Sequence, residues 1–155
     1  MSAELSVGGL QPCTSIDYPG ALAAVVFVQG CPWRCLYCHN PELLSLRGTS
    51  EMEAEDVLDR IAERKLFLNG VVVTGGEPTV HPDLPEFLSE SKAMGLETKL
   101  DTNGVHPRMI ERVLQEGLVD FFAMDLKHVW SRYGEVIGSA ARTATSNCVD
   151  TMKII

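Results

Sequence analysis

Four short apolar runs separated by three amphipathic stretches set the strongest limit on what this chain can fold into. Ala23 to Gln29 is a β-branched run entered from a turn at Asp17, Tyr18, Pro19 and Gly20. Val71 to Val73, Leu96 to Leu100 and Val119 to Met124 read as three further strands. Helix signals fill the gaps. Ser50 and Glu53 have capping-box spacing, after which Val57, Leu58, Ile61 and Leu66 recur at helical intervals until Asn69 and Gly70. Asp83 caps a second helix, with Pro85 in its first turn, Glu86 three residues after the cap and Gly95 beyond its end. Pro107 to Glu116 forms a third, closed by Gly117. This alternation predicts the α/β class, a parallel sheet with right-handed crossovers.

Every strand runs into a polar motif. The first delivers the chain to Cys31, Cys35 and Cys38, the second to TGGEP (74–78), the third to DTNG (101–104) and the fourth to DLK (125–127). Loops at the carboxyl ends of parallel strands are where α/β and barrel folds build ligand sites, so the four motifs should meet on one rim. Residues 1–155 are read as one domain, a lead-in over 1–22 and a partial (β/α) barrel over 23–155. Past Lys127 the pattern fades. Val129 to Thr145 reads as loop with a turn at Tyr133 and Gly134, and Ser146 to Ile155 as a fourth helix capped by Ser146 or Asn147. That helix lacks a C-cap, so the expectation is a chain truncated after the fourth βα unit.

The number of cysteines in the first loop carries the chemistry. CxxxCxxC spacing puts three thiols in eight residues. A structural zinc site normally takes four protein ligands, whereas three thiolates on a cubic iron-sulfur cluster leave one iron free for a substrate. The zinc alternative needs His39 or the distant Cys148 to complete it, and Cys13 and Cys148 otherwise read as buried or incidental thiols. The five cysteines are an odd count, and the first ten residues show no basic n-region or long apolar core, so a cytoplasmic location is expected. No apolar stretch approaches the ~20 residues that span a bilayer. A net charge of -8, from 13 Lys and Arg against 21 Asp and Glu, argues against a nucleic-acid footprint.

With Tyr37 just before the third cysteine, the chain resembles the radical S-adenosylmethionine (SAM) enzymes. It most resembles the activating enzymes of glycyl-radical proteins, through Ile16 to Gly20, CLYCHNP (35–41), GGEP (75–78), DTNG and DLK. The segment from Gly9 to Gly30 looks like the branch that activates anaerobic ribonucleoside-triphosphate reductase. The resemblance covers roughly residues 8–138 and implies a radical SAM type of partial barrel. It implies a four-iron four-sulfur cluster on Cys31, Cys35 and Cys38 as metal ligands, with its open iron chelating the methionyl end of SAM. One-electron cleavage would then yield a 5'-deoxyadenosyl radical that takes a hydrogen atom from a glycine Cα of a partner enzyme. No catalytic residue is implied beyond the cluster and SAM. The implied partners are anaerobic ribonucleotide reductase and, as electron donor, a flavodoxin or ferredoxin.

The same resemblance assigns the cofactor-binding residues. The TGGEP loop would receive the SAM amino group through Gly75, Gly76 and Glu77, consistent with glycines that admit close approach and carbonyls that accept from an ammonium. Asp101, Asn103, Asp125 and Lys127 would lie at the SAM carboxylate and ribose, with Asp101, Thr102 and Asp125 around a monovalent cation. Tyr37 and His39 flank Cys38, His39 offering its backbone. Each polar residue also has a plain alternative as a helix cap, turn or surface ion pair. Trp33 and Arg34 either shape the loop or meet a partner, while His81, His106 and His128 read as turn or surface residues. The acidic group Glu51, Glu53, Glu55 and Asp56 complements a helix dipole. Two rival functions stay open: a radical SAM enzyme acting on a small molecule, and a truncated, non-catalytic iron-sulfur or zinc protein.

Overall fold

The computed structural model describes residues 5–46, 52–138 and 141–155. Five strands, β1 (Val7–Thr14), β2 (Ala23–Val28), β3 (Gly70–Gly75), β4 (Glu97–Thr102) and β5 (Phe121–Met124), form one sheet in sequence order. β2 to β5 pair in parallel, as the alternation of signals predicts. Helices α1 (Ala54–Ala62), α2 (Leu84–Ala93) and α3 (Pro107–Gln115) occupy the three crossovers. Spatial neighbours are sequence neighbours throughout, the order of a barrel segment and not of a doubly wound sheet, where the strand order reverses.

The strands alternate faces. Ala24, Val26, Val28, Val71, Val73 and Leu100 meet Val57, Leu58 and Ile61 of α1, Phe87 and Leu88 of α2 and Val113 of α3 in the main core. On the opposite face Ala23, Val25 and Val72 pack with Tyr18 in a smaller cluster. Burial on both faces explains why β2 and β3 read as continuous apolar runs. β4 departs from that pattern: Lys99 stands in register between Val72 and Phe121 and forms an ion pair with Asp101, two residues along the same face.

Several boundaries differ from the sequence reading. Val7–Thr14, inside the expected lead-in, is a strand antiparallel to β2 that covers its outer edge. Gly8, Gly9 and Pro12 break the β-branched pattern that would mark it. Ser50 lies outside the described residues, and the N-cap of α1 is Glu53, with no side-chain cap bond. Leu66 follows the helix on an exposed turn at 89% accessibility, and Leu68 turns inward instead. Asp83 holds the N-cap position of α2 without a side-chain bond, and the Glu86 carboxylate faces Arg112 at 3.6 Å.

The largest difference is at the carboxyl end. Tyr133–Ile137 is helix α4, and α5 runs Ala141–Ile154, so the helix begins five residues before Ser146. Its polar, small-residue start carries little helical periodicity, and tertiary contact decides it. Asn147 donates to the Val105 carbonyl (2.8 Å), Thr151 to that of Gly104 (2.8 Å), and Ala144 and Cys148 are buried. Tyr133 is fully buried edge-on against Trp33, ring centroids 5.8 Å apart at 84°. Tyr133→Ala should lower folding stability by about 3 kcal/mol, read as a shift of the urea unfolding midpoint.

Candidate functional site

The cysteine loop is held from three directions before it offers a thiol to anything. Gly30 N–H donates to Leu43 O (2.7 Å) and Cys31 N–H to Leu44 O (3.2 Å), closing the loop on its own exit. Arg34 N–H donates to Ile137 O (2.8 Å) and Leu36 N–H to Val136 O (3.2 Å), tying it to α4. The Arg34 guanidinium folds back onto the carbonyls of Cys31 and Trp33, both at 2.7 Å. Trp33 is 1% exposed. Of the two roles open to this pair, shaping the loop is the one their contacts describe.

The third side is the loop after β3. Gly76 N–H donates to Val28 O (2.9 Å) and Glu77 N–H to Gly30 O (2.8 Å). Gly75 has φ +112°, and a Cβ on Gly76 would overlap the Gly30 carbonyl. The close approach for which these glycines are suited is thus made to the backbone entering the cysteine loop. Glu77 is 1% exposed, its carboxylate accepting from Thr79 N (3.2 Å), Thr79 Oγ1 (2.5 Å), Thr102 Oγ1 (2.7 Å) and Asn103 N (2.7 Å). Burial pushes its pKa up against the pull of these donors. The side chain therefore staples the chain after β3 to the end of β4, which leaves its main chain as the part free to meet a ligand.

Around this frame, all the residues that the resemblance assigns to the cluster, SAM or the cation line one cavity of about 290 Å³: Cys31, Cys35, Cys38, Tyr37, His39, Gly75, Gly76, Glu77, Asp101, Thr102, Asn103, Asp125 and Lys127. Trp33, Asn40, Leu44 and Thr74 complete the wall. Tyr37 is half exposed, and its hydroxyl donates to Lys127 O (2.6 Å), so the residue before the third cysteine bridges to the loop after β5. Lys127 Nζ pairs with Asp125 at 2.8 Å; burial pulls this ammonium down, but the Asp125 bond and charge outweigh it and hold the pKa up. Burial pushes the Asp101 carboxyl up, opposed by Lys99. Lys99 thus places a positive charge beside Asp101.

The thiols are in different surroundings. Cys31 is buried, its thiol pushed up to about 11 chiefly by that burial, whereas Cys35 and Cys38 are half-buried. Among the described residues no three His, Cys, Asp or Glu side chains gather tightly enough to hold a single metal ion. A cubic cluster asks for a different arrangement, because its thiolates bind separate irons and need room between them. Three thiols around one cavity fit that demand. Cys13 is exposed, and Cys148 is buried against the Asn103 carbonyl (3.3 Å).

Sequence reasoning missed two supports. His81 donates from Nε2 to Gln29 O (2.7 Å), and Gln29 in turn donates to the carbonyls of Glu42 (3.2 Å) and Ser45 (3.0 Å), bracing both ends of the cysteine loop. Tyr133 is the other, its hydroxyl accepting from Lys127 N–H (3.2 Å). Neither carries a spacing signal. His106 and His128 stand apart from the cavity wall, as turn or surface residues should.

Glu77→Ala should cost at least about 3 kcal/mol, since it strands buried donors on two loops; the urea midpoint measures it. Burial holds the His81 pKa below its ordinary value, so the unfolded chain takes up that proton first as pH falls. Its stability contribution is complete above about pH 6.5 and declines below. Glu77 and Asp101, both raised, act in the opposite sense. Hence the drop in urea midpoint from pH 7.5 to 5.5 should be smaller in His81→Gln than in the wild type.

A family model described as the radical SAM superfamily matches residues 25–153. A protein named as a glycyl-radical enzyme activating enzyme in Methanocaldococcus jannaschii is 36% identical over 132 residues, 84% of this chain and 54% of that protein. The pyruvate formate-lyase-activating enzyme of Clostridium pasteurianum is 36% identical over 74% of the chain and 49% of its own length. The pyruvate formate-lyase 1-activating enzyme of Escherichia coli K12 is 31% identical over 83% and 54%. The chain spans about half the length of the curated relatives it matches. In fold it is similar to the structure of TYW1 with a lysine-pyruvate adduct bound, with a TM-score of 0.61 at 18% identity over 85% of this chain and 51% of that one. Sequence match, strand order and the three-cysteine cavity agree, and the chain belongs to the radical SAM superfamily.

Proposed function

We propose that the chain, working as one unit over residues 1–155, holds a four-iron four-sulfur cluster on Cys31, Cys35 and Cys38, binds SAM beside it and generates a glycyl radical on a partner enzyme. One observation carries the reading: three cysteines and the polar residues of three further strand-end motifs line the same cavity. The names of the relatives, activating enzymes of glycyl-radical proteins, support the substrate class. Anaerobic ribonucleotide reductase is the proposed target, on the likeness of Gly9 to Gly30, and a flavodoxin or ferredoxin the electron donor. No helix among the described residues is long and apolar enough to cross a membrane, and a cytoplasmic site of action is part of the proposal.

Cluster and SAM together supply one-electron cleavage to a 5'-deoxyadenosyl radical; the protein binds, orients and excludes water. The Lys127 ammonium, held by Asp125, offers a cation for a carboxylate at the cavity wall. Asp101 and Asp125 offer acceptors for hydroxyls. Main-chain groups of Gly75, Gly76 and Glu77 form the side suited to an ammonium. Tyr37 and His39 close the wall beside Cys38. Trp33 and Tyr133 pack with Cys31 in one buried apolar cluster, which shields that thiol from water.

Anaerobic reconstitution with iron and sulfide tests this. The expected result is a reducible cluster whose EPR signal changes with SAM, and release of 5'-deoxyadenosine under dithionite. Cys31→Ala, Cys35→Ala and Cys38→Ala should each bring that release to background, whereas Cys13→Ala and Cys148→Ala retain a reducible cluster. A chain that binds only zinc, or loses its cluster with Cys148, refutes the reading. A glycyl-radical EPR doublet on the purified reductase after mixing supports the named target; deoxyadenosine without it moves the proposal to another substrate.

A further inference from the structure

Asn103, at the carboxyl end of β4, is 6% exposed, and every polar group it carries is engaged. Its N–H donates to Glu77 Oε2 (2.7 Å) and its carbonyl accepts from the Cys148 thiol (3.3 Å). In the side chain, Oδ1 accepts from Val105 N–H (3.0 Å). That bond decides which way the carboxamide faces. A backbone N–H can only donate, so the oxygen must meet Val105, and the amino group points the other way, at Cys31 Sγ, 3.9 Å from Nδ2. Trp33 N–H approaches the same sulfur at 3.4 Å. Two donors thus converge on one buried sulfur, and the frame that holds them leaves neither free to turn.

We propose that Asn103 is a positioning residue for the cluster: its carboxamide N–H fixes Cys31 Sγ and raises the cluster's reduction potential. The inference rests on the reading of Cys31 as a cluster ligand. One-electron reduction adds a negative charge that is shared with the ligating sulfurs. An N–H aimed at such a sulfur stabilises the reduced form more than the oxidised one, and hydrogen bonds to the sulfurs are among the levers that set cluster potentials. Burial enlarges the effect, because no water competes for the sulfur and the local dielectric is low. Asn103 differs from Asp101 and Lys127, whose charges face the cavity: it acts through Cys31 and need not touch SAM.

The test compares potentials in the full chain. Asn103→Ser keeps an oxygen for the Val105 N–H and both main-chain bonds, but nothing on it reaches Cys31. Asn103→Asp keeps the shape and turns a carboxylate oxygen toward the sulfur. Both variants and the wild type are reconstituted anaerobically and titrated with dithionite in the presence of redox mediators, with cluster reduction followed by EPR. The midpoint potential should fall in both, further in the Asp variant. A merely structural role would reduce cluster yield at unchanged potential, and that result overturns the assignment. So does a Ser variant at the wild-type potential, whatever the Asp variant retains. Either outcome leaves the three-cysteine reading standing, whereas a wild-type chain that assembles no iron-sulfur chromophore removes both.

Discussion

The buried carboxylate of Glu77 is the interaction on which the rest of this site depends. Glu77 comes two residues after β3 ends, yet its oxygens collect donors from Thr79 beside it, from Thr102 at the end of β4 and from Asn103 just beyond it. A charge so deep is tolerable only because its acceptor sites are filled. Its own N–H holds Gly30, directly before the first cysteine. Three strand-end loops are therefore locked to one another by a single residue.

The cavity has a second fixed wall, built by residues with little local preference for what they do. Trp33 lies between Cys31 and Cys35 in sequence, and its burial requires a surface that this loop cannot supply itself. Tyr133 and Ile137 of α4, with Ala144 and Cys148 of α5, form that surface. The carbonyls of Val136 and Ile137 then accept from the backbone of the cysteine loop. So the thiols are presented from a rigid arc braced on β3 and β4 by one set of bonds and on α4 by another. A site intended to hold a reactive group benefits from that arrangement, because positions set before binding cost nothing to reorganise.

Much of this was legible in the sequence, for a common reason. β2, β3 and the helices over them are dictated by which residues must leave water, a property written locally as period two or period 3.6. The polar motifs were found because each interrupts an apolar pattern just where a parallel strand must end. What escaped notice is equally consistent. β1 has three residues, Gly8, Gly9 and Pro12, that weaken any strand pattern, and it forms because β2 offers it an edge to pair with. The start of α5 is polar and small, and it is helical because Asn147, Cys148 and Thr151 find partners in the loop after β4. His81 gives no hint in sequence that its ring will meet Gln29.

By itself the sequence determined the α/β class, the parallel order of four strands and the four strand-end motifs that meet at one cavity, since hydrophobic periodicity and motif position are local facts. Tertiary structure alone decided what each of their residues does. Glu77 and Asn103 look alike in the sequence, two polar groups at strand ends open to a ligand. In the fold the Glu77 carboxylate is spent on other loops and the Asn103 carboxamide on Cys31, because a hydrogen bond is made with whichever partner the packing brings near. Lys99 and Asp101 likewise became a pair only because a strand puts alternate residues on one face.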